Sequence, residues 1–162
     1  MKIAIYPGSF DPISNGHLDI IRRTAKVFGQ VYVLVSNNPK KNYVFTIDER
    51  VKMLKTVTQS YKNVIIENYD GLTLDYAKMR KANVIIRGLR NFIDYQDEIT
   101  RFQFNRSIAP EIDTFILFPS PKNLFLSSSS IKELVMFNAD ISKYVPKELK
   151  DEIEIKVKER LK

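Results

Sequence analysis

At 162 residues, with 44% hydrophobic and 28% charged residues, the chain has the size and composition of one folded domain over 1–162 and not of a disordered or collagen-like protein. The absence of cysteine excludes disulfides, thiolate zinc sites and cysteine nucleophiles, and a single histidine excludes a multi-histidine metal site. An excess of 26 Lys+Arg over 19 Asp+Glu, a net +7, favours anionic partners: nucleotides, phosphorylated metabolites or nucleic acid.

Short β-rich apolar runs at residues 3–6, 31–35, 64–66, 84–86 and 115–118 alternate with helical patterns. The alternation predicts an α/β fold, a doubly wound parallel five-stranded sheet with helices on both faces. After the first run, Leu18, Ile21, Ala25 and Phe28 share one helix face. Thr46-Ile47-Asp48-Glu49 has the form of a capping box ahead of Val51 and Leu54. A third helix follows Gly71-Leu72-Thr73, and a fourth carries Ile99 and Phe102. The serines at 127–130 offer an N-cap to a helix containing Leu134 and Val135. Pro146 suits the first turn of a C-terminal helix, in which Leu149, Ile153, Val157 and Leu161 recur every four residues. There is no apolar run of about eighteen residues for a membrane span, and the apolar start is too short for a signal peptide, so a cytoplasmic protein is expected.

Four stretches carry chemistry. YPGSFDPISNGH, residues 6–17, ends a strand and enters a helix, where free N–H groups and the positive end of the dipole favour an anion. Gly8 lets backbone come close to a ligand and Gly16 leaves room at the helix entrance; as plain turn punctuation, with His17 satisfied by backbone, the same residues need no ligand. Asn38-Pro39-Lys40-Lys41-Asn42 follows the second strand and reads as a solvated basic turn or a mobile ammonium for a phosphate. In IIRGLR, residues 85–90, a buried strand runs into two arginines whose guanidinium groups match phosphate oxygens. Several hydroxyls and helix-start N–H groups at 127–130 could hold a triphosphate, although capping needs only one serine. Asp94, Asp97 and Glu98 by themselves form a solvated acidic face.

The order Pro-Gly-Ser-Phe-Asp-Pro, then Ser-Asn-Gly-His at 14–17, resembles the (T/H)xGH signature of the nucleotidyltransferase superfamily, and YPGSFDPISNGHLDI is similar to its phosphopantetheine adenylyltransferase family. Ser9 and Ser14 stand where threonine is more usual, and both keep the hydroxyl. IIRGLR looks like the same family, and the serine run resembles its (I/V)SSS element, with Leu126 in place of the β-branched residue and Ser130 extra. The resemblance covers residues 2 to about 146 in four motifs in the right order.

That resemblance implies a Rossmann-like domain and an enzyme that moves AMP from ATP to 4′-phosphopantetheine, giving dephospho-coenzyme A and pyrophosphate. It implies Mg²⁺ carried by the ATP phosphates, a cytoplasmic homohexamer, and no nucleic-acid or membrane partner. By position it gives catalytic roles to His17, Lys41 and Arg90, with Lys40 a less constrained neighbour of Lys41. Phosphopantetheine would meet Ser9, Lys41, Thr73 and Arg87. ATP would meet Ser9, Phe10, His17, Gly88, Leu89, Arg90 and Glu98, and then Asn123, Leu124, Phe125, Leu126, Ser127, Ser128 and Ser129. Asp97 stands where relatives often carry tyrosine. An ionised phosphate acceptor needs no general base, so positioning and charge neutralisation are the expected means, without a covalent intermediate. A sister enzyme acting on another phosphorylated acceptor is the nearest alternative, opposed by IIRGLR and the serine run. A nucleic-acid-binding module is the other, but the basic residues are spread along the chain and no binding motif is present.

Overall fold

The computed structural model describes residues 2–38 and 41–161. Five strands, β1 (Ile3–Gly8), β2 (Gln30–Val35), β3 (Val64–Asn68), β4 (Val84–Gly88) and β5 (Asp113–Leu117), form one parallel sheet in the order β3-β2-β1-β4-β5. The helices are α1 (Asn15–Val27), α2 (Ile47–Thr58), α3 (Thr73–Met79), α4 (Phe92–Ile108), α5 (Ser128–Met136) and α6 (Lys150–Arg160). The expected fold class is therefore observed, with all five strands at the anticipated runs.

Alternation along the strands feeds two cores. Ala4 and Tyr6 of β1 join Val31, Val33 and Val35 of β2 beneath residues of α1, α2, α5 and α6. Ile5, Leu34 and Ile85 point the other way, onto Leu74, Tyr76 and Ala77 of α3. This double burial is why the strands read as continuous apolar runs. The chain moves outward from β1 through β2 to β3, then crosses back to place β4 on the other side of β1. That reversal opens a crevice at the carboxyl ends of β1 and β4.

Three local expectations are corrected. The buried stripe of α1 runs through Asp19, Ile20, Ile21 and Thr24, with Leu18 and Ala25 only half-buried, because Asp19 is held by hydrogen bonds from Ser120 and Arg22. Strand β5 starts at Asp113, paired with Val84, and stops before Phe118; edge pairing, not hydrophobicity, sets its ends. Pro146 lies ahead of a 3-10 turn at Lys147–Leu149, and α6 begins only at Lys150. Leu149, Ile153 and Val157 are buried as the four-residue spacing requires, whereas Leu161 is exposed. On α4, Ile99 and Phe102 face outward, and Glu98 is the helix's one buried residue. Among the described residues no helix is long and apolar enough to cross a membrane.

Candidate functional site

A cavity of about 510 Å³ occupies the crevice. Its walls are the end of β1 and the following loop, the start of α1, Ser36, Asn38 and Lys41–Tyr43 after β2, the end of β4, and the start of α5. It brings together Ser9, Phe10, His17, Lys41, Arg87, Gly88, Arg90, Leu126, Ser127, Ser128 and Ser129 from five separated parts of the sequence. Basic side chains dominate, and among the described residues Asp11 is the one acidic residue in the lining.

His17 is the third residue of α1 and forms half of a capping box with Ser14. Ser14 Oγ accepts the His17 backbone N–H at 3.2 Å, and His17 Nδ1 accepts the Ser14 backbone N–H at 3.1 Å. Because Nδ1 accepts, the neutral ring carries its proton on Nε2. Burial first, and the nearby Arg90 charge second, lower the imidazole pKa from 6.5 to about 4. The ring is thus a neutral donor at physiological pH, held edge-on by Phe10 with centroids 5.1 Å apart. Ser14 Oγ also lies 3.1 Å from Nδ1, but Ser14 is buried and already caps the helix, so this is not a nucleophile–base pair. Phe10 takes φ 51°, the left-handed region, with its ring over Gly8; a Cβ on Gly8 would lie 2.8 Å from Phe10 Cζ. The room left by Gly8 is therefore filled by Phe10, a protein contact where the sequence suggested approach of a ligand.

Both arginines of β4 and its exit are held by carboxylates of α4. Glu98 accepts from Arg87 Nε at 2.8 Å and Nη2 at 2.6 Å, and Pro7 O from Arg87 Nη1 at 3.4 Å. Asp94 accepts from Arg90 Nε at 3.0 Å and Nη2 at 3.1 Å, and Leu126 O from Nη1 at 3.1 Å. The four-residue spacing of Asp94 and Glu98 puts both acids on one helix face. The solvated acidic face read from sequence is in fact a clamp; only Asp97 is out in solvent. Arg87 and Arg90 also surround Tyr6, whose pKa is raised chiefly by burial despite their opposing charge.

Residues 36–38 and 41–46, Lys41 among them, are held by bonds between the two stretches and to the first loop. Lys41 N–H donates to Asn38 O at 2.9 Å, and the Tyr43 hydroxyl bonds the Asn38 backbone. Asp11 accepts from Val44 N–H at 3.1 Å, Phe45 N–H at 2.8 Å and Lys132 Nζ at 2.9 Å, joining the first loop, this segment and α5. Arg50 is 1% exposed. It donates to Ser9 O at 2.8 Å, Ser36 O at 3.4 Å, Thr46 O at 3.3 Å and Asn37 Oδ1, and its guanidinium carbon stands 4.3 Å from the Tyr43 ring centre. Lys40 lies outside the described residues.

At α5, Ser127 is the N-cap: its Oγ accepts Ser130 N–H at 2.9 Å and lies 2.6 Å from Ser130 Oγ. The extra serine therefore completes the cap. Ser128 donates to Pro12 O at 2.8 Å, seating the helix start against the first loop. Asp19 accepts from Ser120 N–H at 2.9 Å and Oγ at 2.8 Å and from Arg22. Burial alone would raise its pKa, but these donors overcome it and leave the carboxyl below its usual range.

Other expected contact residues are off the cavity wall. Thr73 starts α3, Leu89 is buried, and Glu98 sits behind Arg87. Asn123 is buried with its amide toward Asn15 O at 3.4 Å, whereas Leu124 and Phe125 are exposed, Phe125 edge-on to Tyr144. The sequence reading missed Asp11, Asp19, Arg50 and Lys132, each of which has a partner 33 to 121 positions away.

The profile of the family described as Cytidylyltransferase-like matches residues 5–134. A phosphopantetheine adenylyltransferase of Natranaerobius thermophilus is 47% identical over 153 residues, 94% of each chain. One from Alkaliphilus metalliredigens is 44% identical over 146 residues, 90% of this chain and 93% of that one. Among solved structures, a putative nicotinate-nucleotide adenylyltransferase from Vibrio parahaemolyticus superposes with a TM-score of 0.67 at 19% identity, over 96% of this chain and 93% of that one, a likeness of fold.

Proposed function

The chain belongs to the phosphopantetheine adenylyltransferases, within the Cytidylyltransferase-like family, and we propose that it transfers AMP from ATP to 4′-phosphopantetheine by direct in-line attack in the cavity between β1 and β4. An oxygen of the acceptor's phosphate forms a bond to the α-phosphorus as the bond to the β-bridging oxygen breaks; pyrophosphate leaves and dephospho-coenzyme A remains. The observation that carries this is the neutral His17 donor set among Lys41, Arg87, Arg90 and the α5 N-terminus, without a nucleophile–base pair.

His17 Nε2–H donates to an α-phosphate oxygen as charge builds on it. A neutral donor does this without protonating the phosphate, and the Nδ1 bond to Ser14 keeps the proton on the correct nitrogen. Lys41 and Arg87 hold the attacking phosphate; Arg90, with the serines and free N–H groups of α5, binds the β- and γ-phosphates. Glu98 acts through Arg87 by fixing its fork.

Magnesium, carried by the triphosphate, would supply neutralisation of the phosphate charge. Among the described residues no cluster of three or more ligating side chains is present, and Asp11 is taken up by Val44, Phe45 and Lys132, so no step is assigned to a protein-held ion. The enzyme works in the cytoplasm as an assembly of six identical chains. Support for an assembly comes from the apolar residues that α4 and β5 turn outward, among them Phe92, Ile93, Phe104 and Phe115. A solution mass six times the 18.9 kDa of one chain is expected by light scattering.

The deciding assay is pyrophosphate release from ATP against 4′-phosphopantetheine, nicotinamide mononucleotide and glycerol 3-phosphate in parallel. Release with the first alone is expected; release with either of the others in its place overturns the reading.

A further inference from the structure

We propose that Arg50 is a positioning residue for the acceptor half of the site, setting Lys41 and Ser9 relative to one another from beneath the cavity; this rests on the acceptor reading above. Arg50 belongs to α2, outside the cavity wall, and is 1% exposed. A buried guanidinium is costly unless its donors are matched, and here its partners come from both loops that frame the acceptor side. Toward the first loop it donates to Ser9 O. Toward the second it donates to Ser36 O and Asn37 Oδ1 and lies over the Tyr43 ring. Tyr43 closes the base of the turn through the Asn38 backbone, and Asn38 O accepts the Lys41 N–H. Lys41 itself is exposed, so its placement depends on this turn and on the two backbone bonds from Asp11 that follow it.

A group whose task is core stability would bond within its own helix or to the body of the sheet. Apart from Thr46 O, one turn back, Arg50 donates to the two loops. None of its hydrogen bonds goes to Arg90 or α5, the triphosphate side; its link to α5 is indirect, through the Asp11 carboxylate that Lys132 also holds. The two substrates should therefore respond differently to its loss.

The test compares Arg50→Lys with wild type for KM of each substrate, kcat, thermal midpoint, and hydrogen exchange of the 41–46 amides in the unliganded protein. Lysine keeps the charge and loses the planar fork. Expected are a roughly tenfold rise in KM for 4′-phosphopantetheine, KM for ATP within about twofold, and faster exchange at 41–46. Asn37 is exposed and off the cavity wall, so Asn37→Ala tests the same link without endangering the fold, with a smaller rise, and Asn37→Asp restores the wild-type value. Equal shifts in both KM values, or a lowered thermal midpoint with both KM values and the exchange unchanged, would overturn the proposal. Hydrogen exchange is read without substrate: accelerated 41–46 exchange in a protein whose wild type ignores 4′-phosphopantetheine would reject the acceptor assignment while retaining the coupling of Arg50 to this turn.

Discussion

Ser14 and His17 cap one another, each backbone N–H donating to the other's side chain, at 3.2 Å to Ser14 Oγ and 3.1 Å to His17 Nδ1. A bond that begins α1 thus also decides which nitrogen of the His17 imidazole bears the proton. With one histidine in the chain, nitrogen NMR reads this directly. At neutral pH Nε2 should be protonated and Nδ1 bare, with a titration midpoint near 4 in place of 6.5. The unfolded chain takes up a proton between those values that the folded chain refuses, so this residue's contribution to stability is complete above 6.5 and is lost as pH falls toward about 4. A midpoint near 6.5 would contradict the buried neutral ring.

Replacing His17 by alanine removes the proposed α-phosphate donor. Turnover should fall by roughly 10²–10³ with KM for ATP little changed. Losing half of the capping box lowers stability by about 1 kcal/mol, too little to unfold the chain and so separable from the catalytic loss by denaturant titration.

The proposed mechanism assigns the two arginines to different substrates. Arg87→Ala should raise KM for 4′-phosphopantetheine, and Arg90→Ala KM for ATP, each about tenfold or more. Steady-state kinetics with one substrate saturating reads the split, and the opposite pattern means that the roles are exchanged.

Glu98→Ala leaves the Arg87 side chain, 25% exposed, without its carboxylate. Stripping one partner from a largely buried pair is destabilising; partial exposure reduces the effect to about 2 kcal/mol. A double-mutant cycle with Arg87→Ala, followed by urea denaturation, measures the coupling, and additive losses would mean that the pair is slack.

Gly8→Ala sets a methyl 2.8 Å from the buried Phe10 ring, which must move and take its edge contact with His17 with it. Lower thermal stability together with lower turnover is expected. A variant that matches wild type in both would show the loop to be pliant.

The sheet was legible because its central strands are buried on both sides, so local composition marks them, and because the edge strand β5 is apolar although largely exposed. Three of the four motifs were legible because they fall where strands end, and the serine run because it opens a helix. Legibility failed where the partner is remote: Arg50 reads as one more basic residue on a capped helix until Ser9 and Asn37 are brought around it, and Asp19 as a surface acid until Ser120 folds onto it. Asp94 and Glu98 had the correct helical spacing, but their ownership by Arg90 and Arg87 depends on the direction in which α4 leaves β4. Phe102 has helical character yet finds no core beneath it, so a helix-period pattern there does not report burial within the chain.

The α4 clamp also bears on entropy. A loose arginine carries roughly 2 kcal/mol of rotamer freedom, which a ligand that seizes it must remove. Arg87 and Arg90 are already tethered through both ends of their forks, so that freedom is surrendered when the chain folds and not when a phosphate arrives. The encounter with ATP or its acceptor is then a meeting of rigid charges, in which the shape of the cation pair precedes the anion it receives.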